Sequence, residues 1–259
     1  MKLSGCVISL NEEDRIERCL TSMDFCDEIL VLDSGSSDRT CEIARACGAR
    51  VEQQEFLGHR EQKQRAVDLA EHDLILSLDC DEVLSPALRK ELELILVHSI
   101  PADVAGYSMP RRNIYLGRAM RHGAFWPDRK LRLFDRRAAR WGGTDPHDRV
   151  ELMPGPSHAK TVVELAGEIV HDSYRSFAEH RSTVRKFADI AAHALASEGR
   201  RSQPWTPVLR GVSAFVKGAV LKGGVLDGWR GLAAAWMSGL YNRRKYSRLR
   251  ELQRAKSTS

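Results

Sequence analysis

The feature that most constrains this chain is a unit that recurs through its first hundred residues: a short apolar run, a polar loop, then a charged stretch with helical spacing. Cys6-Val7-Ile8-Ser9-Leu10 reads as a strand and Glu12 to Thr21 as a helix capped by Asn11. Glu28-Ile29-Leu30-Val31-Leu32 is a second strand, followed by the turn Asp33-Ser34-Gly35-Ser36-Ser37-Asp38 and a helix through Ala46. Arg50-Val51 makes a short third strand, Arg60 to Ala70 a helix, and Leu74-Ile75-Leu76-Ser77-Leu78 a fourth strand. Ser85-Pro86 then opens a helix that runs to about Val97. Such a series predicts an α/β fold with a Rossmann-like, mostly parallel sheet flanked by helices.

Beyond Ile100 the pattern loosens into polar and aromatic segments rich in Arg, Gly and Trp, where irregular strands and loops are expected. Helical spacing returns from Ser173 to Ala196 and breaks at Gln203-Pro204-Trp205-Thr206-Pro207. The chain thus divides at about residues 100 and 200 into two halves of one domain, 1–100 and 101–200, and a tail, 201–259. With 259 residues, 42% of them apolar, it can bury one sizeable core, and its composition is neither disordered nor collagenous. All six cysteines fall in the first third with no Cys-x-x-Cys pair, and the start carries no secretory pattern, so reduced thiols in a cytoplasmic protein are expected. No apolar run reaches the roughly 18 residues needed to cross a bilayer.

Charge is informative once it is split. From Arg200 onward 13 Lys and Arg face only Asp227 and Glu251, a balance of +11, which leaves 27 Lys and Arg against 33 Asp and Glu in the rest. A basic tail on an acidic body faces dense phosphate, either nucleic acid or anionic lipid. Its apolar positions decide between them: Val208/Leu209, Val212, Phe215/Val216 and Val220, then Val225, Trp229, Leu232, Trp236 and Leu240, recur at helical spacing with Arg210, Lys217, Lys222 and Arg230 interspersed. That is an amphipathic helical extension suited to a lipid interface, and no nucleic-acid partner is expected. The bland alternative is a helical pair packed on the body with a solvated basic face.

Asp79-Cys80-Asp81 stands where the fourth strand ends, and in open α/β sheets ligands bind at the carboxyl ends of strands. Two carboxylates one residue apart offer hard oxygen donors to Mg²⁺ or Mn²⁺ bridging a diphosphate. The loop from Asp33 to Thr40 also follows a strand and opens a helix, so its amides and small side chains suit a nucleotide. Asn11-Glu12 makes a third loop at the same edge. Taken singly, each loop is equally a helix cap or a solvated turn.

Four segments, Ile8-Ser9-Leu10-Asn11-Glu12-Glu13, Leu32 to Thr40, Phe56 to Gln64 and Leu78-Asp79-Cys80-Asp81-Glu82, resemble the successive motifs of glycosyltransferase family 2, with its GT-A fold. The branch most similar is the lipopolysaccharide-core β-1,4-glucosyltransferases, and the resemblance continues through Arg129-Lys130-Leu131-Arg132-Leu133-Phe134 and the tail. It implies that Asp33 reads the base, that Asn11, Glu12 and Lys63 help hold the nucleotide, and that Asp79 and Asp81 serve ribose and metal, Asp81 most directly. It also implies an inverting, metal-dependent transfer of a single hexose such as glucose, from a nucleotide-sugar donor such as UDP-glucose to a lipid-linked or lipopolysaccharide-core acceptor. Residues 1–100 then take the nucleotide sugar and residues 101–200 the acceptor. The enzyme would sit peripherally on the inner face of the cell membrane.

Two positions depart from the family pattern: Ser34 stands where many members have a second Asp, and His147-Asp148 where many have Glu-Asp. Asp148 is left as the catalytic base, with Asp145 as its rival. Arg132 is a candidate to steady the donor diphosphate, His171 either a further metal ligand or a hydrogen-bonded structural histidine, and His122 a lining residue of the acceptor site. No Gln-x-x-Arg-Trp motif of processive synthases is found. Two other function classes remain: a haloacid-dehalogenase-type phosphatase, whose Asp-x-Asp-x-Val motif Asp79 to Val83 imitates, and a non-enzymatic lipid-surface scaffold built on the tail.

Overall fold

The computed structural model describes the chain except residues 99, 145–146, 155–160 and 258–259, and the side chains of 144, 147, 256 and 257. It forms two compact units. The first comprises Met1–Arg111 with Asp128–His171, the second Arg112–Pro127 with Asp172–Ser259.

The first unit follows the recurring sequence pattern closely. Strands β1 (Leu3–Ser9), β2 (Glu28–Asp33), β3 (Arg50–Gln53) and β4 (Leu74–Asp79) lie side by side in the order β3-β2-β1-β4, all parallel. Helices α1 (Ile16–Ser22), α2 (Thr40–Ala46) and α3 (His59–Leu69) connect them. Side-chain alternation assigns the two faces: Leu3, Val7, Val31, Leu76 and Leu78 enter one buried cluster, and Cys6, Leu32 and Ile75 the other. Beyond β4 the sheet turns antiparallel through β8 (Arg129–Asp135) to β6 (Val104–Tyr115), so it is mixed, with its parallel part where the βαβ pattern is. After the short β5 (Glu82–Leu84), α4 runs from Pro86 to His98. The region expected to be irregular holds regular strands: besides β6 and β8 these include the hairpin β9 (Ala139–Thr144) and β10 (His147–Leu152), β11 (Thr161–Glu164) beside β6, and β12 (Ile169–Tyr174) paired with β5. All six cysteines are free.

Asn11 does not cap the first helix. That helix begins at Ile16, and Asn11 sits at φ +55°, a left-handed conformation that Asn tolerates better than most residues. Its side chain serves the neighbouring loop instead.

The second unit is largely helical. After β7 (Arg118–Ala119), its helices are α5 (Phe177–Ser197), α6 (Thr206–Val216) and α7 (Gly228–Ser257). Ser176 caps α5 by accepting from the Glu179 amide at 3.1 Å. A π-helical turn, Lys217–Leu221, and a 3₁₀ turn, Gly224–Asp227, join α6 to α7. No helix among the described residues is long and apolar enough to cross a membrane. His122, expected in an acceptor site, is a clamp: its Nδ1 lies 3.1 Å from Asp227 Oδ1, and the amides of Arg121 and His122 donate to Asp227 Oδ2 at 3.0 and 2.8 Å.

His180 is 6% exposed, stacks on Tyr174 with ring centroids 4.0 Å apart, and places Nδ1 3.0 Å from the Tyr115 hydroxyl. Burial lowers its pKa from 6.5 to about 4, against a smaller opposing effect of Glu179. Between those values the unfolded chain binds the proton that the folded chain refuses. Stability therefore falls as pH drops from about 6.5 toward about 4. The urea midpoint is expected to decline between pH 7 and pH 5, and to decline less in His180→Gln; equal declines would remove His180 as the cause.

Candidate active site

The parallel register places the first three loops at one edge of the sheet. Ser9 pairs with Asp33, and Ile8 pairs with Asp79, so the carboxyl ends of β2 and β4 flank that of β1. Asp33 is fully buried. Its Oδ1 accepts from the amides of Gly35 and Ser36 at 3.0 and 2.8 Å, and its Oδ2 from the hydroxyls of Ser36 and Ser9 at 2.5 and 2.8 Å. Burial alone would raise this carboxyl; the hydrogen bonds from Ser36 and Ser9 outweigh it and hold the group below the usual carboxylate range. Gly35 is needed there, because it takes φ +93°.

The first loop clips onto this turn. Asn11 Oδ1 accepts from the Ser37 amide at 2.8 Å, the Asn11 amide donates to the Ser36 hydroxyl at 2.8 Å, and the Glu12 amide donates to Thr40 Oγ1 at 2.7 Å. Ser34, the departure from the family pattern, accepts from Gln62 Nε2 at 3.1 Å. A neutral side chain suits a neutral amide partner.

Around β4 the site is ionic. Asp79 Oδ2 pairs with Arg132 at 2.8 Å and its Oδ1 with Lys63 Nζ at 2.8 Å. Lys63, delivered by α3, also reaches Asp148 Oδ2 on β10 at 2.8 Å. Arg132, delivered by β8, also pairs at 2.8 Å with Glu82, which holds Arg111 at 2.9 Å in turn. The Trp141 ring backs both cations, 4.6 Å from Lys63 Nζ and 5.3 Å from the Arg132 guanidinium carbon. Arg132 is 3% exposed and Glu82 fully buried. Burial would neutralise each group in this chain, but the partners prevail: Lys63 and Arg132 hold Asp79 well below the carboxylate range, Arg132 lowers Glu82, and Asp79 raises Lys63.

Asp81 and His171 form a separate pair, with His171 Nε2 3.2 Å from Asp81 Oδ2. The β5–β12 ladder brings them together, since His171 pairs with Glu82 in register. Both side chains are partly exposed.

The structure thus gathers Lys63, Asp79, Arg132 and Asp148 in one network, sets Asp81 beside His171, and knits Asn11 and Glu12 to the Asp33 turn. Asp145 lies outside the described residues. Sequence reasoning gave no role to Glu82, Arg111 or Trp141. Glu82 stands in the quoted Asp79-Cys80-Asp81-Glu82 segment, but only its complete burial marks it as the acceptor for two arginines.

A parallel Rossmann-like half, an antiparallel continuation and an acidic loop at the end of β4 define a nucleotide-binding transferase fold of the GT-A kind. Residues 4–153 match the model of glycosyl transferase family 2, and the chain belongs to that family. An uncharacterised glycosyltransferase of Rickettsia typhi is 26% identical over 97% of this chain and 87% of its own length. The lipopolysaccharide core biosynthesis glycosyltransferase LpsC of Rhizobium meliloti is 26% identical over 77% of this chain and 72% of its own. Among solved structures, glucosyl-3-phosphoglycerate synthase of Mycobacterium tuberculosis, determined with Mn²⁺, UDP and glucosyl-3-phosphoglycerate, matches 43% of this chain and 44% of that one at 25% identity, with a TM-score of 0.35. The chain is therefore a glycosyltransferase, and the phosphatase and scaffold readings fall. Asp79, the required phosphatase nucleophile, has both oxygens engaged by cations.

Glu82→Gln removes the charge that Arg132 and Arg111 share. Breaking a buried ion pair on one side leaves uncompensated charge, so a loss of about 3 kcal/mol or more is expected in urea unfolding, together with loss of transfer. A loss under about 1 kcal/mol would mean that the arginines find other partners.

Proposed function

We propose that the enzyme moves a single hexose, glucose from UDP-glucose, onto a lipid-linked or lipopolysaccharide-core acceptor, with inversion and with Mg²⁺ or Mn²⁺. The observation that carries this reading is Lys63 bridging Asp79 and Asp148: one cation ties the carboxylate at the donor edge of the sheet to a carboxylate on the β9–β10 hairpin. In the reaction, Asp148 takes the proton from the acceptor hydroxyl as it attacks the anomeric carbon opposite the leaving nucleotide. Asn11, Glu12 and the Asp33 turn hold the nucleoside. Arg132 acts as a positioning residue that fixes Asp79, and Lys63 fixes both Asp79 and Asp148. The name of LpsC supports the lipopolysaccharide acceptor.

Asp81 and His171 suit a divalent cation by their chemistry: a hard carboxylate oxygen and an imidazole nitrogen lie together and partly exposed, and Mg²⁺ sites commonly use few protein ligands besides substrate phosphates and water. No cluster of three or more such side chains is found among the described residues, so diphosphate and water would complete the set. When bound, the cation supplies charge neutralisation to the departing diphosphate.

The enzyme works, in this reading, at the cytoplasmic face of a membrane where its acceptor is held. The exposure of the connection between α6 and α7 and of the start of α7 supports it: Leu221 is 77% and Leu226 69% exposed, and Trp229 and Trp236 on α7 are more than half exposed. Lys217 and Lys222 lie exposed in the same stretch. Apolar insertion and attraction to anionic headgroups act together at such a surface.

Three measurements test the reading. A donor screen with lipid-linked acceptor should favour UDP-glucose. Asp148→Asn should lower kcat by roughly 10²-fold or more with little change in KM for the donor, whereas full activity of Asp148→Asn beside an inactive Asp145→Asn would exchange the roles. Asp81→Asn should lose most transfer at limiting Mn²⁺, and an unchanged rate would remove Asp81 from the metal site.

A further inference from the structure

The β9–β10 hairpin brings more than Asp148 to the site. Trp141 on β9 pairs in register with Val150, and Asp148 lies two residues before Val150, so one face of the hairpin presents both Trp141 and Asp148. Trp141 is 5% exposed and packs in the apolar cluster with Ala66, Val67 and Phe134. Its ring also meets two cations. The Lys63 ammonium lies 4.6 Å from the ring centroid and the Arg132 guanidinium carbon 5.3 Å, both inside the roughly 6 Å over which an aromatic face draws a cation.

The indole nitrogen shows what this tryptophan is not there for. A buried Trp N–H usually finds an acceptor, but Trp141 Nε1 is buried with none among the described residues. An orphaned buried donor costs stability. Phenylalanine would enter the apolar cluster without that cost, so packing alone does not call for an indole. Indole surpasses phenyl in the pull of its face on a cation. The position therefore uses the ring.

The two cations need such a partner. Lys63 and Arg132 take the two oxygens of one carboxylate, Asp79, at 2.8 Å each. Burial and the nearby Arg132 both oppose the charge on Lys63. A further carboxylate would offset this, but it would also repel an arriving diphosphate. An aromatic face attracts both cations and adds no anion.

We propose that Trp141 is a positioning residue for transfer, its ring holding Lys63 and Arg132 against Asp79 and, through Lys63, fixing the place of Asp148. This role rests on the reading of Asp148 as the base and adds to it the group that keeps the base in register with the donor edge. Lys63 reaches Asp148 at 2.8 Å, so a shift of the ammonium off the ring moves or frees the carboxylate. Small misplacements of a reacting group lower the rate steeply.

Fluorination of the indole weakens its pull on a cation while nearly preserving its shape. Full-length enzyme is made with mono-, di-, tri- and tetrafluorotryptophan at position 141 by nonsense suppression, and each form is assayed with UDP-glucose and lipid-linked acceptor and unfolded in urea. A stepwise fall in kcat is expected, roughly tenfold across the series, with a smaller change in KM for the donor. Trp141→Phe, which keeps an aromatic face, should retain more of the rate than Trp141→Leu, with circular dichroism checking that both fold. The urea midpoint should also fall stepwise, and less steeply when the series is repeated in Lys63→Gln, which keeps hydrogen-bond donors but no charge. A flat series in both kcat and midpoint overturns the role, as does an equal midpoint slope in Lys63→Gln. A falling midpoint with constant kcat overturns the positioning of the base while leaving the ring–cation contact. Stepwise loss of kcat beside full activity of Asp148→Asn upholds the ring and overturns Asp148 as the base.

Discussion

The site depends on a guanidinium that water scarcely reaches. Arg132 is 3% exposed, and a lone cation at that depth would carry a large desolvation penalty. Asp79 and the fully buried Glu82 remove the penalty by pairing with it, and Arg111 gives Glu82 a second cation. Buried ion pairs of this kind add little to stability compared with a packed apolar substitute, and they are costly to break on one side. What they supply is position. The carboxylate of Asp79, at the end of a strand and partly exposed, is fixed on one oxygen by Arg132 and on the other by Lys63.

The same logic with neutral groups shapes the neighbouring loop. Asp33 is buried without a cation, and its stabilisation comes from hydroxyl and amide donors of its own turn and from Ser9. Because Asn11 bonds to the outside of that turn, the first and second loops form one hydrogen-bonded body. On the proposed function, a nucleotide arriving at this edge meets polar groups already ordered, and the entropy of fixing them has been met by folding.

Much of the first unit was legible in the sequence because its signals are local. Apolar runs of five residues, each followed by a polar loop and a helical stretch, specify parallel strands and the edge at which Asp33 and Asp79 emerge. The regular strands after Ile100 were not legible, because β6, β8 and β12 are defined by partners distant in the chain and their Arg, Gly and Trp content masks the alternation. The start of α1 was misread for a related reason: Asn11 is a good helix cap by type, but its side chain is claimed by Ser37, twenty-six residues later. Likewise Glu82 looked like an ordinary acid beside the Asp-x-Asp pair. Its role depends on Arg111 and Arg132, whose approach only the antiparallel strands decide.

The tail shows a different kind of limit. Its apolar residues were visible at helical spacing, but spacing cannot say whether such a stripe faces a neighbouring helix or the outside. Glycine decides it. A Cβ on Gly231 would lie 1.8 Å from the carbonyl oxygen of Gly224, and one on Gly239 would lie 3.0 Å from that of Gly211, so α7 meets α6 and the 3₁₀ turn backbone against backbone. Helices joined through small residues gain van der Waals contact without burying large side chains, the arrangement that serves helix association in lipid. Leu209, Val212, Leu221 and Leu226 are consequently left outside, and the hydrophobic energy of about 25 cal/mol per Å² that their burial would release is not used in folding. These exposed apolar side chains are the surface on which the proposed membrane docking rests. Under the proposed function, the exposed Lys217 and Lys222 beside them favour an anionic bilayer over a second copy of the same face, since rims of like charge on two copies would repel.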